Sequence, residues 1–214
     1  MAKLHVYQAL DSTNDFLKEN QNRFQHGDGI AAQNQSKGRG QKGNIWASEA
    51  GKNATFSVLW RWVNFRPEHQ FQLSKLVALT CVNFIKKCLP QAKVAIKWPN
   101  DILVNRKKIA GLLIESNIQG KQLKSSVVGI GLNVNQTIFP DAFCATSLRQ
   151  LGAKQKVDTC VKTLYDMLNS DIDSGLLDNN KYLNKRYLDC LFGLNQKLFN
   201  QMLFFKPNCY HFIL

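Results

Sequence analysis

The 214-residue sequence is poor in acidic residues and lacks paired cysteines. Its six cysteines form no Cys-x-x-Cys pair, and its four histidines lie far apart, with none at His-x-x-x-His spacing. We therefore predict no metal held by a cage of protein ligands and no disulfide framework. No stretch approaches the ~20 apolar residues that cross a bilayer, and the start lacks the apolar core of a signal peptide. We expect a cytoplasmic protein with reduced thiols and no membrane partner.

Motifs of several common enzyme classes are also missing. No Gly-x-Ser-x-Gly elbow supports a serine hydrolase, and Gly51-Lys52 is followed by Asn53, so a Walker A loop would lack its magnesium-binding hydroxyl. Residues 38–43 spell Gly-x-Gly-x-x-Gly, but a strand pattern follows instead of a helix. No acidic residue stands about 20 residues further on, where a dinucleotide fold would bind the ribose. A dinucleotide-binding fold is therefore disfavoured.

The charge balance is abnormal, whereas the rest of the composition is ordinary. The chain has 28 Lys and Arg against 15 Asp and Glu, a net charge of +13, with 44% hydrophobic residues. Such a charge points to an anionic partner: nucleic acid, a membrane surface or a phosphorylated substrate. No linker composition or repeat interrupts the first 190 residues, so one continuous domain is expected there.

Hydrophobic periodicity predicts an α+β fold with a mostly antiparallel sheet. Short links between apolar runs favour antiparallel neighbours, because parallel strands need long crossovers. A polar, glycine-rich loop is expected over residues 33–43. Helices are predicted at residues 15–18, from behind Pro67 to about Cys88, at 158–173 and at 179–191, and strands at 30–32, 55–60, 94–96, 102–104, 109–115 and 123–130.

The glycine-rich stretch 38–43 has a second interpretation as an anion-binding loop. Its glycines allow backbone amides to approach an anion closely, and Arg39 and Lys42 supply cations beside them. A polyphosphate or a carboxylate would suit such a loop. The alternative is a flexible, solvated surface loop.

A rigid bend is predicted at residues 97–101, before a basic hairpin. Pro99 fixes its own φ and restricts Trp98 to extended conformations, so Asn100 and Asp101 are presented beside a strand. Between residues 91 and 125 there are 7 basic and 2 acidic residues, so much of the excess charge collects here. The alternative is a basic hairpin that faces solvent.

Five segments, taken in order, resemble biotin protein ligases over roughly residues 4–193. Each segment alone is weak, but together and in this order they are specific. The segments are Asp11-Ser12-Thr13-Asn14, Gln35-Ser36-Lys37-Gly38-Arg39-Gly40, Lys97-Trp98-Pro99-Asn100-Asp101, Lys108-Ile109-Ala110-Gly111 and Gly129-Ile130-Gly131-Leu132-Asn133-Val134-Asn135.

This resemblance implies a mixed, mostly antiparallel sheet with flanking helices, as in the catalytic domain shared by biotin and lipoate ligases and class II aminoacyl-tRNA synthetases. It implies that biotin and Mg-ATP form biotinyl-AMP, and that a lysine of a carboxylase's biotin carboxyl carrier domain then takes the biotinyl group. A homodimer is left open. Two rivals also stay open: lipoate ligation on the same fold, and a non-catalytic nucleic-acid-binding module suggested by the charge.

The resemblance also assigns roles to individual residues. Lys108, Arg39 and Asp101 are expected to be catalytic, with Lys108 at the reacting carboxylate and α-phosphate. The residues implied to bind biotin are Ser12, Thr13, Gln35, Gly38, Arg39, Lys108 and Gly111. Those implied to bind ATP are Arg39, Gly40, Lys42, Trp46, Asn100, Asp101 and Asn133.

The sequence departs from the family pattern at two places. Members often read Gly-Arg-Gly-Arg-Arg-Gly, whereas Gln41 stands at the middle arginine and Lys42 at the next. We therefore expect biotinyl-AMP to leak faster. The 23 residues after Leu191 are too few for the family's β-barrel, so we assign 1–191 to the catalytic domain and 192–214 to a short remnant or replacement. About ten residues precede Asp11, so no DNA-binding domain and no DNA partner are expected.

Overall fold

The structure, a computed structural model, describes residues 2–140 and 143–193. Seven strands and four α-helices lie within these residues. The strands are β1 (Leu4–Leu10), β2 (Gly29–Gln35), β3 (Asn53–Phe65), β4 (Val94–Lys97), β5 (Asp101–Val104), β6 (Lys107–Gln119) and β7 (Gln122–Asn133), and the helices are α1 (Thr13–Glu19), α2 (Gln70–Cys88), α3 (Val157–Asp173) and α4 (Asn180–Cys190).

All seven strands form one sheet in the order β1-β2-β3-β7-β6-β5-β4. Only the β1–β2 pair is parallel within this sheet; the other neighbours are antiparallel. The parallel pair encloses α1, which supplies the crossover that parallel strands require. The predicted α+β fold with a mostly antiparallel mixed sheet is confirmed.

Helices α2, α3 and α4 cover one face of the sheet and bury the main core. Alternate residues of the strands point into this core, for example Phe56, Val58 and Trp60 of β3, which are fully buried. The opposite face is covered only in part by the described residues. There α1 packs on a small cluster that includes Leu17, Ile30 and Leu59. The uncovered remainder of this face is available for a site.

Local sequence explains where the helices begin. The Ser12 hydroxyl caps α1 by accepting from the Asp15 amide at 3.3 Å, which satisfies one of the free N–H groups of the first turn. A short 3-10 segment, Pro67–His69, leads into α2, and proline suits this position because it has no N–H to leave unpaired.

Most predicted elements are confirmed, with small shifts in their ends. The strand β1 was not predicted, and β2 extends two residues beyond position 33, where the loop was expected to start. The Gly-x-Gly-x-x-Gly stretch holds a 3-10 turn, Gln41–Gly43, and no helix follows it, so the rejection of a dinucleotide fold is confirmed. Most of the predicted C-terminal remnant, 194–214, lies outside the described residues.

None of the helices in the described part of the chain has the length and apolar character needed to cross a bilayer.

Candidate active site

A cavity of about 390 Å³ lies on the sheet face that α1 leaves uncovered. This volume falls within the range of small-molecule sites. The start of α1, the glycine-rich loop, the bend at 98–101 and the middle of the sheet all contribute to its wall. The predicted site residues that line it are Ser12, Thr13, Gln35, Arg39, Gly40, Lys42, Trp46, Asn100, Asp101, Lys108 and Gly111.

Strand register explains the open floor of this cavity. Asp101, Gly111, Gly131 and Thr55 are direct partners across β5, β6, β7 and β3, so they form one row across the sheet. The two central positions of the row lack side chains. A Cβ on Gly131 would overlap the indole of Trp46, which rests on the floor at this point. The two glycines therefore make room for the Trp46 indole against the sheet, where a larger residue would push it away.

Lys108 and Asp101 form an ion pair at one end of the floor. The Nζ atom of Lys108 lies 2.7 Å from Oδ1 of Asp101. Oδ1 of Asp101 is buried and accepts no hydrogen bond with suitable angles from the described residues. The attraction between Lys108 and Asp101 is therefore that of two opposite charges. The same ammonium lies 5.6 Å from the ring centre of Trp46, within cation–π range.

The backbone of Lys108 is held by a crossing segment. Its N–H donates to Cys144 O and its carbonyl accepts from Thr146 N, both at 2.8 Å. The buried Asn133 side chain in turn donates to Thr146 O at 2.9 Å. Asn133, which was predicted to bind ATP, is not among the residues that line the cavity. Its hydrogen bond supports the segment that positions Lys108.

The bend at 98–101 contributes all four of its residues to the lining of the cavity. The Trp98–Pro99 peptide is cis, and the Trp98 side chain is 58% exposed at the rim. Asn100 is tied to β6, because its Nδ2 donates to Leu112 O at 3.1 Å and its carbonyl accepts from Leu112 N at 2.9 Å. The bend is thus fixed to the strand that carries Lys108.

The glycine-rich loop is folded back on itself as a small hairpin. Trp46 N–H donates to Gly38 O at 2.9 Å, and Gly40 N–H donates to Asn44 O at 2.7 Å. Lys42 lies at the tip with a left-handed φ of 55°. Gly38, predicted to bind biotin, is not among the lining residues; its carbonyl closes the base of the hairpin. The Trp46 Nε1 atom is buried with no partner among the described residues.

Arg39 on this hairpin contacts two carboxylates. Its Nη1 donates to Asp15 and, at 3.2 Å, to Glu115 Oε2, while Nη2 donates to Glu115 Oε1 at 3.3 Å. Burial lowers the pKa of Arg39, but the charges of Glu115 and Asp15 outweigh it and raise the pKa overall. Burial likewise raises the pKa of Glu115, but hydrogen bonds from Lys18 and Asn14 and the Arg39 charge lower it overall.

Polar groups of α1 and β2 form the other end of the cavity. The Thr13 amide donates to Gln35 Oε1 at 2.7 Å, which leaves the Gln35 amide nitrogen as a donor. The buried Ser57 hydroxyl contacts Thr13 Oγ1 at 2.8 Å and donates to Asn14 Oδ1 at 2.6 Å. This end therefore offers hydrogen-bond donors and acceptors without a net charge of its own.

Sequence reasoning missed Asn14 and Glu115 as parts of the site. Successive residues of a strand point to opposite faces, so Glu115, four positions after the predicted residue Gly111, lies on the same face. This even spacing would have indicated Glu115 from the sequence. Within the described ranges, no group of three or more His, Cys, Asp or Glu side chains could hold a metal ion. Asp101 is the carboxylate among the residues that line the cavity.

Comparison with known proteins identifies the family of this chain. Residues 6–133 match the model of the biotin/lipoate A/B protein ligase family, which covers more than half of the chain. The chain belongs to this family.

Individual relatives agree with this assignment. The chain is 37% identical over 133 residues to the bifunctional ligase/repressor BirA of Bacillus subtilis, covering 60% of this chain and 40% of that protein. It is 39% identical over 110 residues to a biotin–[acetyl-CoA-carboxylase] ligase of Paracoccus denitrificans, covering 49% and 43%. The chain thus spans less than half the length of these relatives.

A solved structure matches over most of the chain. The biotin protein ligase from Aquifex aeolicus, in complex with biotin and ATP, superposes with a TM-score of 0.75 at 25% identity, covering 90% of this chain and 79% of that one.

Proposed function

We propose that this chain is an ATP-dependent ligase that activates biotin as biotinyl-AMP and transfers the biotinyl group to a lysine of a carboxylase's biotin carboxyl carrier domain. One observation carries the proposal: a single cavity brings Arg39 and Lys108, from distant segments, over a glycine floor. Two anionic substrates must meet before they react, and positioned cations reduce their repulsion. The similarity to ligases of biotin supports this choice of substrate.

The neutral end of the cavity suits the ureido ring of biotin. This ring has N–H donors and a carbonyl acceptor, so it needs partners of both kinds. The free amide nitrogen of Gln35 can donate to the carbonyl, and hydroxyl oxygens of Ser12 and Thr13 can accept from the ring N–H groups. Gly111 lies next to the Lys108 ammonium and the Trp46 ring, so it would face the carboxylate end of biotin.

The charged end suits the reacting groups. A carboxylate oxygen of biotin attacks the α-phosphorus of ATP, and the bond to pyrophosphate breaks. The ammonium of Lys108 is compact and can follow the negative charge as it moves between oxygens. Arg39 lines the same cavity and would donate to the carboxylate or the phosphate by giving up a contact with Asp15 or Glu115. No protein nucleophile is needed, since positioning and electrostatics account for catalysis of such transfers.

The hairpin and the bend would bind the nucleotide. Gly40 N–H is used within the hairpin, so the Arg39 and Lys42 side chains are the hairpin's cations for the phosphates, and the Trp46 ring can pack against the base. Asn100 lines the same cavity, and its side-chain nitrogen is used in the bond to Leu112 O. Asp101 supplies one carboxylate, which fits a magnesium ion that arrives on the triphosphate and keeps most of its water and phosphate ligands.

The second step transfers the biotinyl group. The neutral amine of the acceptor lysine attacks the acyl carbon, the bond from that carbon to the AMP oxygen breaks, and the extra proton on nitrogen passes to water. Asp101 beside Lys108 is the group that could orient the approaching amine. We propose that this occurs in the cytoplasm, in a catalytic domain over residues 1–191.

Lipoate is the second candidate substrate, because the matching family includes lipoate ligases. Purified protein is mixed with Mg-ATP and either biotin or lipoate, without acceptor, and the acyl-adenylate is identified by mass spectrometry. We expect biotinyl-AMP. Lipoyl-AMP alone would replace the substrate in this proposal, and the absence of both adenylates would overturn it.

A further inference from the structure

The Asn14 side chain bridges two strands at the neutral end of the cavity. Ser57, Gly129 and Leu113 are direct partners across β3, β7 and β6, so they form a row next to the glycine floor. A Cβ on Gly129 would overlap the Asn14 amide, so this glycine leaves the space in which the amide lies. From there Asn14 contacts Ser57 on one side and Leu113 on the other.

The partners of Asn14 determine which way its amide points. Its Nδ2 donates to Leu113 O at 3.3 Å and to Glu115 Oε2 at 3.1 Å. Glu115 forms an ion pair with Lys18 at 2.8 Å, so its carboxylate is ionised. A backbone carbonyl and an ionised carboxylate can only accept. The Asn14 amide oxygen therefore faces Ser57, whose Oγ lies 2.6 Å away.

This orientation decides where two hydroxyl hydrogens lie. An amide oxygen only accepts, so the single hydroxyl hydrogen of Ser57 is used toward Asn14 Oδ1. The 2.8 Å contact between Ser57 Oγ and Thr13 Oγ1 then needs the hydrogen of Thr13. All three residues are buried, which strengthens such a chain of hydrogen bonds. The Thr13 hydroxyl thus donates to Ser57 and offers its lone pairs to the cavity.

Gln35 has the opposite polarity. The Thr13 amide donates to Gln35 Oε1 at 2.7 Å, so Gln35 offers the N–H groups of its Nε2 to the cavity that it lines. The neutral end therefore holds one acceptor, Thr13 Oγ1, and one donor, Gln35 Nε2. A ring that carries an N–H beside a carbonyl complements this pair, as a cyclic urea does, whereas a dithiolane ring has neither group.

We propose that Ser57 and Asn14 are positioning residues that hold the Thr13 hydroxyl as a hydrogen-bond acceptor, and that they thereby select a substrate ring with an N–H group. The identity of that ring as the ureido ring of biotin rests on the proposed function. Ser57 does not line the cavity, so it acts through Thr13. A ligand without the N–H is rejected because it leaves the buried lone pair of Thr13 unpaired.

Two analogues of biotin test this selection in the wild-type protein. They are the cyclic carbamates in which oxygen replaces one or the other ring N–H. Calorimetry measures the Kd of biotin and of each carbamate. We expect at least one carbamate to bind about 10- to 100-fold more weakly than biotin, because its ring oxygen faces the lone pairs of Thr13. Equal affinity for biotin and both carbamates would overturn the proposal.

Ser57→Ala and Asn14→Ala test the two positioning residues. Without Ser57, the partner of the Thr13 hydrogen is gone; without Asn14, the Ser57 hydrogen can turn toward Thr13. In both variants Thr13 is free to donate to a ring oxygen, so the preference for biotin over the weaker carbamate should fall to about threefold or less. A purely structural role would weaken both ligands alike, so a wild-type preference in both variants would overturn the proposal. If Ser57→Ala does not fold, Asn14→Ala decides.

The matched control is Ser126→Ala. Like Ser57, Ser126 is a fully buried serine on a strand of the same sheet. Its hydroxyl contacts Trp62 Nε1 and Ser116 Oγ, both at 3.0 Å, and it does not line the cavity. It should keep the wild-type preference for biotin. An equal fall in Ser126→Ala would show that loss of any buried hydroxyl has this effect, which would overturn the proposal.

The hydroxyl chain is also tested without a ligand. Urea denaturation compares the effect of Ser57→Ala in the wild type and in Asn14→Ala. We expect a smaller shift of the midpoint in Asn14→Ala, because the bond between the two residues is already lost there. Equal shifts would overturn the chain. No binding of biotin by the wild type would instead overturn the proposed function and the substrate selection, whereas the urea data would still decide the chain.

Discussion

The ammonium of Lys108 lies 2.7 Å from the Asp101 carboxylate, and the two residues stand on neighbouring strands. The Asp101 side chain is the more buried of the two, at 18% exposure. It therefore fixes the ammonium while leaving Lys108 accessible from the cavity. A lysine held in this way can shift toward an arriving anion without a change in its backbone, which the crossing segment at residues 144–146 holds.

Replacing Lys108 should abolish activation of biotin more than binding of biotin. We expect Lys108→Ala to slow pyrophosphate release by about 100-fold or more, because a positioned charge at the reacting oxygens is lost. Biotin affinity should fall far less, since the proposed ureido contacts lie at the other end of the cavity. Rapid-quench measurement of pyrophosphate release and calorimetry with biotin check the two parts.

Lys107→Ala is the matched control for this variant, because Lys107 is the exposed neighbour outside the lining of the cavity. It should release pyrophosphate at the wild-type rate. Wild-type release by Lys108→Ala would remove Lys108 from the mechanism.

The floor of the site should tolerate no added methyl group at Gly129. A Cβ there would overlap the side-chain amide of the buried Asn14. We expect Gly129→Ala to lower the free energy of unfolding by about 1–3 kcal/mol, the usual cost of overpacking. Urea denaturation measures the loss.

The double variant Asn14→Ala/Gly129→Ala tests the cause. Because Asn14→Ala removes the obstructing amide, adding Gly129→Ala to it should cost much less than in the wild type. Additive losses would show that the overlap with Asn14 is not the reason for the glycine.

Gln41 should affect retention of the intermediate. It lines the cavity at a position where family members often carry arginine, and it supplies no charge to hold a phosphate. We expect Gln41→Arg to keep labelled biotinyl-AMP bound longer than the wild type in a chase with unlabelled biotin and ATP. Equal lifetimes in both proteins would contradict the assigned role of this position.

The pH dependence of stability should identify the Glu115 network. The pKa of Glu115 is lowered in the folded protein. The contribution of its charge to stability is therefore present above the unfolded pKa of 4.5 and is lost as the pH falls through the folded pKa. The difference in unfolding free energy between the wild type and Glu115→Gln should thus be largest near pH 7 and small near pH 3. A constant difference across this range would mean that the Glu115 charge contributes nothing.

Local sequence patterns predicted most of the fold because the main sheet is built from short links. Strands β4 to β7 follow one another in sequence and pair as antiparallel neighbours. By contrast, β1 was not predicted. Its first residue, Leu4, pairs with Gly29, which lies 25 positions later in the chain, and three of the seven residues of β1 are exposed. Pairing of that kind depends on long-range contacts that periodicity does not report.

Site residues that belong to a sequence motif could be predicted. Residues that join the site through contacts between distant segments could not. Lys108 and Asp101 were found from their motifs, and both line the cavity. Glu115 was not, because its partner Arg39 is 76 positions away. The predictions for Gly38 and Asn133 placed them against substrate, whereas their described contacts hold the hairpin and the segment behind Lys108.

The most direct test of the central claim is biotin-dependent exchange of labelled pyrophosphate into ATP by the wild-type protein. Exchange requires reversible formation of an acyl-adenylate, so it reports activation without an acceptor. We predict exchange with biotin that is lost in Lys108→Ala, and little exchange with lipoate. Exchange with lipoate alone, or no exchange with either acid, would contradict it.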